Sequence, residues 1–398
     1  MTDTIAQSVA SKAPSPPSRQ GGRQIVGLDL IRFAAACLVV AFHLTYWNRV
    51  TENWYRADYA FGYLAHYTRI GWIGVHIFFV LSGFVIAYSA QKSGPKAFVK
   101  NRFLRLYPGV WICATITFVV AIAFGELGDR LVSAWFRSLV LSPYGTLIDG
   151  SYWTLSIEIT FYATIFVLLA VNGFRHLQAV AITIATLSTS LMLYVLALEH
   201  DVFASSRVAA RIVRFSNSRL AQLTLMRHGA LFAMGVLLWL CLLQRWTPVR
   251  ILGLAICFVG SLLSIRFDWA AIVRISGISF SPISAIVVWL ISVAAIVLSV
   301  QHNSAVTRML GDRGNKFART LGLMTYPLYL LHQRAGATLI FKLHGHLPDN
   351  ISLIITSLLC FATSYLALSY LERPLQDRLR ALLHITRKER DVPAAALP

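Results

Sequence analysis

Long apolar stretches recur along the whole chain and are separated by short polar segments. A window of about 20 residues, the length of helix that crosses the hydrocarbon of a bilayer, predicts about ten spanning helices. Their approximate ranges are 26–47, 70–91, 107–125, 155–172, 177–198, 228–243, 249–265, 283–300, 320–341 and 350–371. The runs at 228–243 and 249–265 are short, and one of them could be re-entrant. The predicted fold is an all-α integral membrane bundle without an internal repeat.

The two ends of the chain differ from the apolar body. Residues 1–24 are polar and interrupted by prolines, and they predict a flexible cytoplasmic tail. They lack a hydrophobic core followed by a small-residue cleavage site, so we expect the first span to be retained rather than cleaved as a signal peptide. Residues 25–374 form the predicted membrane domain, and 375–398 form a basic cytoplasmic tail.

Composition supports a membrane protein and excludes several other classes. Of the 398 residues, 57% are hydrophobic and 13% are charged, against about 25% charged in an average soluble protein. With a mean hydropathy of +0.63, a soluble cytosolic enzyme is excluded, as is a disordered or fibrous protein. The five cysteines lie inside apolar runs without metal-ligand spacing, and His344 and His346 have no acidic or Cys residue at ligand spacing. The sequence therefore predicts no metal site.

The net charge of +19 predicts how the chain lies in the membrane. Lys and Arg are concentrated between Lys92 and Arg105 and after Arg373. Since basic loops stay on the cytoplasmic side, both termini are predicted to be cytoplasmic. The protein itself is predicted to lie in the inner membrane. Nucleic-acid binding is not expected, because no basic stripe is interleaved with aromatic residues on a soluble module.

One loop predicted on the outer side, at about 199–227, is unusually basic. Arg207, Arg211 and Arg214 follow one another at i, i+4 and i+7, which would form one basic face if the segment is helical. This face is either a solvated, headgroup-facing surface or a contact for an anionic glycan or lipid-linked acceptor.

The first span carries three titratable residues, Asp29, Arg32 and His43. In an α-helix, Arg32 and His43 return to within about 20° of each other and lie about 16 Å apart along the axis, with Asp29 on the same side. Charges are costly in lipid, so this face is predicted to point into the bundle and to connect an anion-binding end with a deeper imidazole. The alternative is a structural Asp29–Arg32 pair with a structural histidine.

Two later spans carry polar stripes. Thr154, Glu158 and Tyr162 are spaced by four residues in the fourth span. A buried Glu there could orient a histidine or belong to a proton relay, or it could form a structural ion pair with an arginine. In the ninth span, Thr325, Tyr329 and His332 share a face, where the Tyr could donate a hydrogen bond to a substrate or fill space. Pro327 is expected to kink or locally open this helix.

Basic and small residues flank and line the early spans. Arg102 and Arg105 lie one turn apart before the third span. Arginine suits bidentate phosphate binding, but the same residues also follow the positive-inside rule. Gly71, Gly74 and Gly83 predict close helix packing.

Several of these segments together resemble the membrane acyltransferase (acyltransferase-3) family, whose members move acyl groups onto O-antigens, exopolysaccharides, nodulation factors, macrolides and related glycans. The resemblance covers the chain apart from its two tails. The matching segments, in family order, are Gly27–Arg32 with His43, Gly74–Phe84, Arg102–Pro108, Tyr152–Tyr162, Thr325–His332 and Glu372–Pro374.

The resemblance implies about ten helices, acyl-coenzyme A supplied from the cytoplasm and an acceptor modified on the outer side. It implies that His43 is the catalytic base with Arg32 as its partner, and that Arg102 and Arg105 bind the donor. Arg32 is also expected to supply a cation to the donor. Glu158 is expected to fix the tautomer of His43 or to stabilise its charged form.

The predicted substrate contacts are Asp29, Trp153, Tyr162, Tyr329 and His332. The predicted reaction is transfer of a short acyl group, most simply acetyl, from acetyl-coenzyme A to a hydroxyl of a glycan or glycolipid. Acyl-coenzyme A is expected as a donor substrate and not as a permanently bound cofactor.

Two features depart from the family pattern. Many relatives carry an acid at the position of His76, so no catalytic role is assigned to this histidine. Some relatives append a soluble SGNH-type hydrolase domain, whereas 24 residues follow Pro374, which predicts the single-domain form.

Two other classes of protein remain open from the sequence. A transporter or flippase of a lipid-linked glycan would use the intramembrane His and Glu as a proton relay, but it is often built from inverted repeats. A non-catalytic assembly subunit would not need a His–Arg face in the first span.

Overall fold

The computed structural model describes residues 24–47, 61–199 and 207–383, and in these ranges the chain is helical without a β-strand. The helices are numbered in chain order. They are α1 (Val26–Phe42), α2 (Gly62–Thr68), α3 (Ile73–Ala90), α4 (Pro95–Ala123), α5 (Asp129–Leu139), α6 (Trp153–Ala170), α7 (Leu177–Glu199), α8 (Arg207–Ser216), α9 (Arg219–Leu223), α10 (Gly229–Leu243), α11 (Pro248–Ser276), α12 (Ile283–Gln301), α13 (Asn303–Leu331), α14 (Arg334–Leu343), α15 (Asp349–Leu366) and α16 (Arg373–Leu382).

The described helices confirm an all-helical, multi-pass membrane protein. Eight helical segments among them are long and apolar enough to cross a bilayer. They are Val26–Trp47, Gly62–Ala90, Pro95–Ala123, Gly150–Ala170, Phe174–Leu198, Pro248–Ser276, Ile283–Gln301 and Asp349–Leu382. The predicted run at 228–243 corresponds to the shorter apolar helix α10, and the run at 320–341 falls on α13 and α14. The count of ten spans and the cytoplasmic placement of both termini stay predictions.

Glycines allow the helices around α3 to approach one another closely. A Cβ atom added at Gly83 of α3 or at Gly235 of α10 would lie 2.0 Å from a carbonyl oxygen of the other helix. At Gly71 and Gly74 it would lie 2.0 and 2.4 Å from carbonyl oxygens of α1. The close packing predicted from the glycines before and within α3 is therefore confirmed.

Helix α13 ends inside the predicted ninth span. It continues through Pro327 to Leu331, and the chain then turns at His332 and Gln333 before α14 begins at Arg334. The interruption therefore lies five residues after the proline that favoured a kink in the sequence. As a consequence, His332 lies at a helix end, where its side chain can reach backbone carbonyls of the last helical turn.

The segments predicted as tails are described only in part. The N-terminal tail up to residue 23 and the chain from residue 384 lie outside the described residues, whereas α16 extends helical structure to Leu382. Of the basic loop, Arg207, Arg211 and Arg214 lie on the helix α8, and all three are exposed. The five cysteines are free thiols, and four of them are buried.

Candidate functional site

The base predicted from the first span lies at a change in helix geometry. Helix α1 ends at Phe42, and His43 begins a π-helical turn that runs to Trp47. Turns of this kind are frequent at functional sites because they re-aim side chains. His43 is partly buried, and its Nδ1 lies 2.8 Å from Nε2 of His332 at the end of α13.

The hydrogen bonds of His332 fix the protons of both imidazoles. His332 Nδ1 lies 3.1 Å from the carbonyl oxygen of Leu328 and 2.9 Å from that of Tyr329. Because a carbonyl can only accept, Nδ1 carries the proton and Nε2 of the neutral ring is an acceptor. His43 must then donate from Nδ1, which leaves the lone pair of its Nε2 free to take a proton.

A buried aspartate braces the turn that carries His332. Asp149 is fully buried, and its Oδ2 accepts a 2.8 Å hydrogen bond from the backbone N–H of Arg334. The guanidinium of Arg334 donates to the carbonyl of Ile148 and is paired with Glu126. These bonds hold the turn after α13 against the segment before α6.

Next to this pair of histidines the helices form a partly open cavity of about 70 Å³. Tyr329 lines it, and its ring lies 5.8 Å from the ring of His332. The wall combines two arginines and one carboxylate with aromatic and small hydroxyl side chains. Its residues are Arg32, Val75, Phe78, Phe79, Ser82, Arg105, Leu106, Thr154, Leu155, Glu158, Thr325, Tyr326 and Tyr329.

The two arginines of the cavity are buried and partly neutralised by neighbours. Arg32 donates to Asp29 at 3.3 Å, which is the pairing that the structural reading of the first span allowed. Arg105 lies 3.9 Å from a carboxylate oxygen of Glu372 and 4.7 Å from the centre of the Tyr326 ring. The part of the cavity wall that Arg32 and Arg105 form is therefore polar.

Arg102 lies beside these residues but does not line the cavity. It donates to Ser89 at 2.6 Å, and its guanidinium carbon lies 5.4 Å from the ring centres of Phe98 and Tyr162. Within the described part of the chain, its Nε and Nη1 atoms are buried and make no hydrogen bond. Unsatisfied guanidinium donors of this kind suit an anionic ligand.

The remaining predicted residues fall into different surroundings. Glu158 lines the cavity and accepts a 2.5 Å hydrogen bond from Tyr162. The side chain that lies within hydrogen-bond distance of His43 is instead His332. Tyr329 makes a 3.1 Å hydroxyl contact with Thr154. The ring of Trp153 instead packs 5.7 Å from that of His228.

Sequence reasoning missed two parts of the site. The predicted substrate contact of His332 stays a prediction, but its hydrogen bond with His43, 289 residues away in sequence, was not anticipated. Asp149 was not singled out, although an aspartate before Gly150 and Ser151 is a typical helix-start signal. Its Oδ1 does accept from the backbone N–H of Ser151, at 2.8 Å.

Comparison with known proteins identifies the family of this chain. The family model described as an acyltransferase domain (acyltransferase-3) matches residues 25–371. Nodulation protein 10 of Rhizobium leguminosarum bv. viciae is 25% identical over 82% of this chain and 86% of its own length. Exopolysaccharide production protein ExoZ of Rhizobium meliloti is 26% identical over 79% of this chain and 93% of its own length.

A further relative matches over a shorter region. Acyltransferase MdmB of Streptomyces mycarofaciens is 33% identical over 35% of this chain, and the match spans 38% of that protein's length. No solved structure matches the chain. The match to the family model, which extends from the start of α1 into the last turns after α15, decides between the enzyme and the carrier that the sequence left open. The chain belongs to the acyltransferase-3 family of membrane enzymes.

Proposed function

We propose that this enzyme transfers a short acyl group, acetyl in the simplest case, from acyl-coenzyme A to a hydroxyl group of a glycan. The observation that carries the proposal is the His43–His332 hydrogen bond, because its direction leaves His43 Nε2 as an acceptor. Through Tyr329 the histidine pair adjoins a cavity that Arg32 and Arg105 line. The names of two relatives, a nodulation protein and an exopolysaccharide production protein, favour a glycan acceptor.

In the proposed reaction His43 acts as a general base. Its Nε2 takes the proton of the acceptor hydroxyl while the oxygen attacks the thioester carbonyl carbon. The C–S bond of the resulting tetrahedral intermediate then breaks, and the coenzyme A thiolate leaves and takes the proton back from His43. Because His43 donates from Nδ1 to His332 throughout, its protonated form is stabilised as it arises.

The arginines supply the binding of a polyanionic donor. Arg102 has two buried guanidinium nitrogens without a hydrogen bond in the described part of the chain, and Arg105 lines the cavity one helical turn away. We propose that they bind the phosphates of acyl-coenzyme A at the cytoplasmic side of the inner membrane. The pantetheine arm then extends through the cavity past Arg32 and Tyr329 towards the histidine pair.

The roles of the other polar residues follow from their contacts. Asp29 neutralises Arg32 at 3.3 Å, and we propose that the pair orients the donor rather than taking part in proton transfer. Glu158 holds Tyr162 and faces the cavity, where it is proposed to balance the charge of the arginines. Tyr329 is proposed to donate a hydrogen bond from its hydroxyl to the pantetheine arm of the donor.

The proposal is tested with purified protein, labelled acetyl-coenzyme A and surface polysaccharide from a strain that lacks the gene. We expect the wild-type protein to transfer label, and the His43→Ala variant to be slower by about 10²- to 10⁴-fold, the usual contribution of a general base. His302→Ala is the matched control, because His302 is exposed at a helix end. Label transfer by His43→Ala at the wild-type rate would exclude His43 as the base.

The same assay separates the donor from the acceptor. Absence of transfer by the wild-type protein with acetyl-coenzyme A, together with transfer from a longer acyl-coenzyme A, would reject acetyl and retain the mechanism. Hydrolysis of the thioester without transfer to the polysaccharide would reject this acceptor. An intact thioester under all conditions would reject acyl-coenzyme A as the donor.

A further inference from the structure

Two histidines and one aspartate from three separate parts of the chain converge outside the cavity. His76 lies in the first turn of α3, His228 immediately precedes α10, and Asp268 lies in α11. Nε2 of His76 is 3.2 Å from Oδ2 of Asp268, and Nε2 of His228 is 3.1 Å from the same oxygen. One ligand atom from each of the three residues lies within 4.8 Å of the other two.

These separations fit a small metal ion. Zinc binds imidazole nitrogen and carboxylate oxygen at about 2.0–2.2 Å, so neighbouring ligand atoms of a tetrahedral site lie about 3.3 Å apart. The two measured nitrogen–oxygen distances are close to that value. Two imidazoles and one carboxylate are also a donor set that zinc uses, with the fourth position left for water or another ligand.

Hydrogen bonding alone leaves these histidines unsatisfied. His76 is 1% exposed, and neither of its ring nitrogens makes a hydrogen bond within the described residues, although Nε2 faces the carboxylate of Asp268. Nδ1 of His228 is likewise buried without one. A buried polar atom without a partner is costly, and a bond from Nε2 of His76 to a metal would remove part of that cost.

The carboxylate is held in the orientation that a ligand needs. Arg227 donates from Nε and Nη2 to Oδ1 of Asp268, at 3.2 and 2.8 Å. These bonds occupy the oxygen that does not face the histidines, as hydrogen bonds around metal-binding carboxylates do. The Asp268 side chain is 22% exposed, so the cluster is not fully closed off by the protein.

We propose that His76, His228 and Asp268 bind a zinc ion through one atom each. The sequence gave no sign of the site, because 152 positions separate His76 from His228 and 40 separate His228 from Asp268. The ion would tie α3 to α11 and to the start of α10. Phe79, which lines the cavity, packs 5.2 Å from the ring of His228, so the metal would stabilise that wall of the cavity.

The zinc content of the full-length protein, purified in detergent with any affinity tag removed, tests the proposal. After loading with zinc chloride and desalting, we expect about one zinc ion per chain by mass spectrometry. Asp268→Asn and His228→Gln should each lower the content at least several-fold, whereas His302→Gln, at an exposed histidine, should retain it. Equal loss from the His302→Gln control would reject the assignment to this site.

X-ray absorption at the zinc edge keeps the test decisive if the variants do not fold. The wild-type protein should give nitrogen and oxygen neighbours at about 2.0–2.1 Å with the outer scattering of two imidazoles. A wild-type content below about a tenth of an equivalent, or a shell that contains no imidazole, would overturn the proposal. The three residues would then be a hydrogen-bonded ion cluster around Asp268. Neither result depends on acyl transfer, so this test is independent of the proposed function.

Discussion

The hydrogen bond from His43 to His332 can be removed without removing the base itself. In His332→Phe, a ring of similar size keeps the packing against Tyr329, but no acceptor faces Nδ1 of His43. In His332→Gln, the amide oxygen can accept from Nδ1 and replace the lost nitrogen. The two variants therefore separate the hydrogen bond from the space that the side chain fills.

The size of the effect follows from the bond that is lost. The Nδ1–Nε2 distance is 2.8 Å, and the donor becomes charged when His43 takes a proton. A hydrogen bond to a charged group contributes about 1.5–3 kcal/mol, and each 1.36 kcal/mol changes a rate by about tenfold. We therefore expect His332→Phe to lower kcat by about 10- to 150-fold, with KM for the acyl donor little changed, and His332→Gln to recover part of this loss.

The assay measures kcat and KM for labelled acetyl-coenzyme A with polysaccharide from the gene-deletion strain as acceptor, after melting curves have shown that both variants fold. If His332 only filled space in the turn, the His332→Gln variant would not recover kcat relative to His332→Phe. Equal kcat for His332→Phe and wild type would show that the hydrogen bond from His43 Nδ1 to His332 does not support catalysis. A change confined to KM would instead make His332 a substrate contact, as the sequence suggested.

Further substitutions test the donor site, the helix contact and the basic face. Arg105→Ala should raise KM for acetyl-coenzyme A by about tenfold or more, because charge-assisted hydrogen bonds contribute about 1.5–3 kcal/mol, and unchanged KM in steady-state kinetics would contradict a donor contact. Gly235→Leu should lower the yield and melting temperature of the folded protein, since even a Cβ would lie 2.0 Å from a carbonyl oxygen of α3; thermal melts in detergent check this against Gly94→Ala, where a Cβ meets open space. Replacing Arg207, Arg211 and Arg214 by Gln should reduce transfer to an anionic polysaccharide but not thioester hydrolysis, if the exposed face of α8 binds the acceptor; unchanged transfer would make it a solvated surface.

Relations within one helix could be predicted from the sequence, because the helical repeat fixes them. The Asp29–Arg32 pair and the shared face of the arginines of α8 are of this kind. The glycines before and within α3 predicted close packing, but not that the partners are α1 and α10. Spans could also be placed, since their length is set by the bilayer. Relations between helices could not, because sequence spacing gives no information on which faces meet across the bundle.

His43 is the last residue of the first span whose direction the regular α-helical repeat predicts. Arg32 and His43 share a face on the assumption of about 100° per residue over eleven residues, and α1 is α-helical from Val26 to Phe42. The π turn begins at His43 itself, so the assumption holds as far as the base and fails for residues after it. The partner of the base comes from a second break, the turn after α13, which Asp149 holds through Arg334. The candidate site therefore depends on two departures from regular helix, and each follows from contacts that only the assembled bundle provides.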